Sequence, residues 1–368
     1  MKFKKQIFRN YINMFGLKVK RRIVVIESDD WGSQRMPSKK VYDSLLAKGI
    51  DVDRCPYSKY DSLENEEDLQ ALFTVLNKLK SKINKVPIIT TNFLSANPNF
   101  EKIKSNKFSS YEFENIDDTY KKNSKSNNIK NVLKEGISNK YISPQFHGRE
   151  HINVQMWMNL LNENKAIQDA FDYEVFALSF NNSNSIKMPF LASFMKLEST
   201  NNFEKIISSG IEEFERFFGF TPKSFIAPVY IWDQEIEELI SHYKINSVQG
   251  LYFRNNYVDY EDPKPKKIKR SYNKYSNSGQ LQLVRNCFFE PSTSENLDWV
   301  GECLQDVETA FFWNRPAIIC SHRINFVGGM LEKNRNKNLT EFEKLVKEIV
   351  KKWPDVIFVS SDEVIKYV

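Results

Sequence analysis

Short apolar runs alternate along this chain with longer stretches whose apolar residues recur every three or four positions. The runs around Ile23–Ile26, Pro87–Phe93, Ile142–Phe146, Val175–Phe180, Phe225–Tyr230, Ile245–Val248, Leu281–Phe289, Ala317–Cys320 and Val356–Val359 read as buried strands. Between them, Leu69, Leu72, Phe73, Leu76, Leu79 and Ile83 follow helical spacing, as do Phe203, Ile206, Ile207, Ile211, Phe214 and Phe218. Further helices are expected over Val154–Leu161, Leu297–Phe312 and Phe342–Val350, and one after the cap Asp233. Strands taking turns with helices point to βα units on a parallel sheet, and about eight of them suit an α/β barrel of the TIM-like kind. The pattern predicts one barrel over residues 23–368, with a Lys-, Asn- and Ser-rich insertion at about 99–130 and a basic loop at about 259–279.

Residues 1–22 stand apart. They carry eight Lys or Arg and no acid, with Phe3, Ile7, Phe8, Tyr11, Ile12 and Phe15 at helical spacing. Two readings are open: a helix lying on an anionic membrane surface, and a helix whose apolar face covers the base of the barrel. Elsewhere the net charge of +6 is spread without an Arg-rich helix or a basic–aromatic motif, so nucleic-acid binding is not expected. The four cysteines show no paired spacing and read as free thiols. With no apolar run of membrane-spanning length and no secretory signal pattern, a cytoplasmic location is expected.

The chemistry concentrates at three predicted strand ends. The chain has four histidines; His147 and His151 lie four positions apart, a spacing that at helical pitch puts both rings on one face. The strand at Ile23–Ile26 leads into Asp29 and Asp30, and Ala317–Cys320 leads into His322. Two imidazoles and a carboxylate make a donor set for Zn²⁺ or a similar divalent ion (cobalt, iron, nickel or manganese) with positions left open. A second carboxylate facing that site suits a general base, and a histidine from a distant strand suits a general acid. His242 reads as a helix-end residue outside the site.

These motifs resemble those of the polysaccharide deacetylase family, the NodB-like carbohydrate esterases of family four. Its T-F-D-D-G motif is similar to Glu27-Ser28-Asp29-Asp30-Trp31, which implies Asp29 as general base and Asp30 as metal ligand. Its H-(S/T)-x-x-H motif is similar to His147-Gly148-Arg149-Glu150-His151, which implies both histidines as ligands. Its L-x-H motif is similar to Cys320-Ser321-His322, which implies His322 as general acid. The resemblance runs from about residue 22 to the end and implies a distorted (β/α) barrel that removes N-acetyl or O-acetyl groups from a glycan or glycan precursor, for instance in surface polysaccharide assembly. The family's R-x-P motif falls on Ile226-Ala227-Pro228, so the arginine that holds the base is absent there; Arg149, Arg285 and Arg323 are candidates to replace it. Trp31, Arg149, Pro228, Tyr230, Glu290 and Arg323 are further candidates for substrate contact.

Two other readings fit parts of the pattern. A non-catalytic carbohydrate-binding barrel would keep the metal site without the reaction. The string H-x-x-E-H also matches inverzincin proteases, which would use His147, Glu150 and His151. That reading needs a helix there, whereas Ser143 before Pro144 favours an extended segment running into His147.

Overall fold

The structure, a computed structural model, describes residues 2–15, 18–83, 85–123, 126–178, 190–196, 202–256, 266–270 and 275–368. Among the described residues, nine parallel strands form the main sheet: β1 (Ile23–Trp31), β2 (Ile89–Phe93), β3 (Ile142–Phe146), β4 (Ser224–Phe225), β5 (Ser247–Val248), β6 (Leu281–Gln282), β7 (Cys287–Phe288), β8 (Ala317–His322) and β9 (Ile357–Phe358). Their order is β6-β5-β4-β3-β2-β1-β8-β7, with β9 paired to the start of β1. This is the (β/α) barrel that the alternation predicts, in the distorted form that the resemblance implies.

Alternation along each strand sorts side chains into two environments. Val24, Ile26, Ile89, Phe93, Ile142, Phe146, Phe225 and Ile319 face the surrounding helices and join the main hydrophobic core. On the other face Ile23, Val25, Leu281, Leu283, Ile318, Val359 and Val364 form an apolar plug. Toward the strands' C-terminal ends that face turns polar: Glu27, Asp29, Thr90, Asn92, Ser224 and Gln249 are all buried and joined by hydrogen bonds. Burying so many polar atoms is tolerable only because they satisfy one another.

Two expected strands differ in the structure. The run Leu281–Phe289 is not one strand. It bonds to Val248 and Gly250 at its start and to Ile318 and Cys320 at its end, so one kinked segment links two sheet edges, with Arg285 at the kink. The run at Val175–Phe180 is apolar for another reason: Val175–Leu178 carry no strand pairing and pack into a second core with Trp157, Phe171 and Ile167, while residues 179 and 180 lie outside the described residues. The stretch 99–130, read as an insertion, holds helices Phe100–Ser105 and Ile116–Lys122 and a strand Phe113–Asn115 paired with Ala96–Pro98. In the basic loop, Lys266–Lys269 pairs with Phe253–Asn256; residues 259–265 and 271–274 lie outside the described residues.

The N-terminal stretch is a helix, Lys2–Met14, docked on the helix Trp299–Phe312. It docks by its polar side: Arg9 Nε meets Asp306 at 2.5 Å and Lys5 meets Glu302 at 2.5 Å, while Asn286 donates to Asn13 at 2.8 Å. The base-covering orientation, with the apolar face inward, is therefore not the one adopted.

Candidate active site

Asp29 lies opposite His322 in the β1–β8 register. Adjacent residues of a strand point to opposite faces, so Asp29 and Asp30 can share a site only if β1 is broken between them. It is: the register with β2 shifts between Ser28 and Trp31, and Asp30 takes a left-handed φ of 73°. Aspartate tolerates that region better than most residues, at a cost of about 1 kcal/mol.

Beyond β3 the chain does not become helical. His147 continues the strand by donating its amide to Phe93 O (2.8 Å), Gly148 turns at φ 109°, and His151 returns through a loop. A loop, and not helical pitch, brings the two rings to 5.4 Å between centroids. The protease reading loses its helix, and Glu150 loses its freedom, because Arg149 binds both its oxygens, at 2.5 and 3.0 Å.

Asp30, His147 and His151 offer donor atoms that all lie within 4.8 Å of one another. His147 Nδ1 donates to Ile226 O (3.0 Å), which leaves Nε2 as a buried lone pair without a hydrogen-bond partner among the described residues. The Nε2 atoms of His147 and His151 each lie 3.4 Å from Asp30 Oδ1. That spacing is the edge of a tetrahedron with bonds of about 2.1 Å, so the donor set fits a divalent ion such as Zn²⁺. Burial, partly offset by Asp30, pushes the His151 pKa down to about 4 and keeps the ring neutral, as a ligand must be. A backbone carbonyl fixing the tautomer of His147 is the usual support for a ligating ring.

Asp29 is held by Arg285, whose Nη1 and Nη2 meet its two oxygens at 2.6 and 2.7 Å while Nε meets Glu27 at 2.6 Å. Asn92 donates to Asp29 Oδ1 at 2.7 Å. Burial alone would raise the Asp29 pKa, but Arg285 outweighs it and holds the carboxyl at about 2. Of the three arginines open to replace the missing one, the one at the β6–β7 kink makes the contact. Two consecutive left-handed residues, Val229 and Tyr230 (φ 57° and 58°), aim the Tyr230 hydroxyl at Arg285, 3.0 Å from Nη1. Pro228 starts that turn.

His322 Nδ1 lies 2.5 Å from Glu290, whose other oxygen accepts from Asn325 at 2.8 Å, and its Nε2 lies 3.7 Å from Asp29 Oδ2. Burial disfavours the charged ring, yet Glu290 and the nearby aspartates overcome this and raise its pKa to about 9. Glu290 thus stands behind His322. Trp31 and Arg323 do not reach the cavity surface: Trp31 is buried against Phe93 and Phe326 with its N–H on Ser28, and Arg323 is buried with Asp61 and Glu64. Arg149 packs over Phe113 and lines a separate cavity with Tyr111 and Asn153.

The cavity of about 290 Å³ is lined by Asp29, Asp30, His147, His151, His322 and Tyr230, and also by Arg35, Tyr57 and Leu191. Those last three carry no sequence signal. Arg35 reaches to 3.6 Å from Asp30 and lies over the Tyr57 ring, whose edge meets His322.

The sequence matches no family model and no curated protein. Solved structures do match. A candidate glycoside hydrolase/deacetylase from Parabacteroides distasonis has a TM-score of 0.50 at 10% identity, covering 95% of this chain and 71% of that one. A candidate polysaccharide deacetylase from Mycobacterium smegmatis scores 0.46 at 9% identity, covering 96% and 94%. A CE4-family pseudoenzyme from Bacillus anthracis scores 0.39 at 8% identity, covering 92% and 64%. At such identities the likeness is one of fold: the chain has the distorted (β/α) barrel of the glycoside hydrolase/deacetylase type.

Proposed function

We propose that this chain is a metal-dependent hydrolase that removes acetyl groups, N-linked in preference to O-linked, from an acetylated sugar. The observation that carries the reading is the placement of the Asp29 carboxylate and the His322 imidazole, 3.7 Å apart, beside a three-donor site whose spacing suits a divalent ion. A bound ion would polarise the acetyl carbonyl and acidify a water. Asp29, fixed by Arg285 and Asn92, takes the proton of that water as it attacks the carbonyl carbon; Oδ2 is the oxygen that faces His322. His322, its Nδ1 on Glu290, donates its Nε2 proton to the departing nitrogen, so one water and one amide become an amine and acetate. Arg35, beside Asp30, and Tyr57, against His322, close the wall around the acetyl group. The cavity is near the lower end of ligand-pocket volumes, room for roughly one sugar residue, and Tyr230 and Leu191 offer it an apolar face.

Acetate release from N-acetylglucosamine oligomers, measured with the wild type and with Asp29→Asn, tests the reading. Release by the wild type and a loss of about a hundredfold or more in the variant, with metal retained, support it. Metal retention with no release from any acetylated sugar or amide would favour a binding barrel without catalysis.

A further inference from the structure

The N-terminal helix is docked the opposite way from an ordinary surface helix, which buries its apolar stripe and turns charge to water. Here Arg9, Ile12 and Asn13 are buried. At 3.6 residues per turn, Phe3, Ile7, Phe8, Tyr11, Met14 and Phe15 fall on the opposite side, and all are exposed, from 39% at Tyr11 to 78% at Phe3. The docking is not loose: Arg9 binds Asp306 and Gln305, Trp313 donates to Asn10 (2.9 Å), and Arg315 Nε donates to Asn13 O (3.0 Å). So the apolar face is held outward by specific bonds.

The surroundings of that face are basic. Lys4 falls in the middle of the apolar sector, and the exposed Lys18, Lys20 and Arg21 follow the helix in the chain. From the Phe253–Asn256/Lys266–Lys269 hairpin, exposed Lys269 places its ammonium over the rings of Tyr11 and Phe15, at 5.6 and 5.4 Å, with Lys267 also exposed on the same strand. Residues 1–22 contain no acid. Aromatic and aliphatic side chains interspersed with and flanked by lysines match the headgroup boundary of an anionic bilayer, where rings enter the acyl edge and ammonium groups meet lipid phosphates. A protein partner or second copy would need an acidic apolar surface, and this face is not complementary to itself.

We infer that the outward face of helix Lys2–Met14, with Lys269, is a docking surface for an anionic membrane. The inference does not depend on the deacetylase reading. Co-sedimentation of the full chain with vesicles of phosphatidylcholine alone, and with about a third phosphatidylserine, tests it, using Ile7→Glu/Phe8→Glu and Lys4→Glu/Lys269→Glu beside the wild type. The expected result is binding to the anionic vesicles that weakens with salt and falls by about tenfold or more in each variant, with thermal midpoints unchanged. Wild type remaining in the supernatant with both vesicles would overturn it. So would undiminished binding by the Ile7/Phe8 variant, or a wild-type dimer that this variant converts to monomer, which would give the face to a second copy.

Discussion

Two arginines in this barrel are equally buried and equally well paired, yet they do different things. Arg285 is fully enclosed and shared between Glu27 and Asp29; Arg323 is fully enclosed and shared between Asp61 and Glu64. Arg323 is the neighbour of His322 in the chain, but its side chain turns back to the segment before helix Glu66–Ile83. There Glu64 also accepts the amide of Gly32 (2.9 Å) and the hydroxyl of Tyr120. It ties the end of β1 to the outer helices. Arg285 sits 37 positions away in sequence, at a kink, and reaches the carboxylate that faces the cavity. Burial, charge and sequence proximity do not separate the two; only the identity of the carboxylate does.

The comparison can be broken by substitution. The largest effect is expected from Arg285→Met, which strands two buried carboxylates: about 3–5 kcal/mol of stability lost, seen in urea unfolding. It should also cost about a thousandfold or more in deacetylation by whatever protein remains folded, because Asp29 loses both its position and its charge. Arg323→Met should unfold as readily, by about 3–5 kcal/mol, while its folded fraction keeps kcat within about threefold. If Arg323→Met abolishes turnover without unfolding, the division of labour is wrong.

A smaller effect is expected at Glu290. In the proposed reaction His322 donates its proton and so works while protonated, and activity should fall as pH rises through about 9. Glu290→Gln removes the main raising influence, and the alkaline limb of kcat/KM should move down toward the ordinary imidazole value of about 6.5, or lower given the burial. An unmoved limb would assign the acid elsewhere. The smallest effect belongs to a third pair of the same chemistry, Arg22 with Asp355 at 2.8 Å, both about half exposed. Arg22→Ala should cost under about 1 kcal/mol in the same unfolding assay.

Much of this was legible in the chain. Strands that are buried on both sides leave apolar runs, and the residues that end them, Asp29, Asp30, His147 and His322, can be read off with their spacing. Arg285 and Glu290 stand out only as candidates among several, and which residue each supports could not be read. Arg285 and Asp29 are 256 positions apart, as Glu290 and His322 are 32 apart, and such pairings leave no periodic trace. A kink inside Leu281–Phe289 cannot be told from a straight strand by hydrophobicity, because both faces of it are buried. Val175–Leu178 misled for the same reason, since a second core makes a run as apolar as a sheet does. Arg35 and Tyr57 are ordinary loop and helix residues until the fold carries them to the cavity.

The proposed reaction requires Asp30, His147 and His151 to hold a divalent ion. Plasma mass spectrometry on the purified chain, with neither metal nor chelator added, measures this directly. About one equivalent of zinc, iron, cobalt, nickel or manganese in the wild type, lost in His147→Ala/His151→Ala, is the predicted result. A wild type that is metal-free and takes up none of these ions on reconstitution would contradict it.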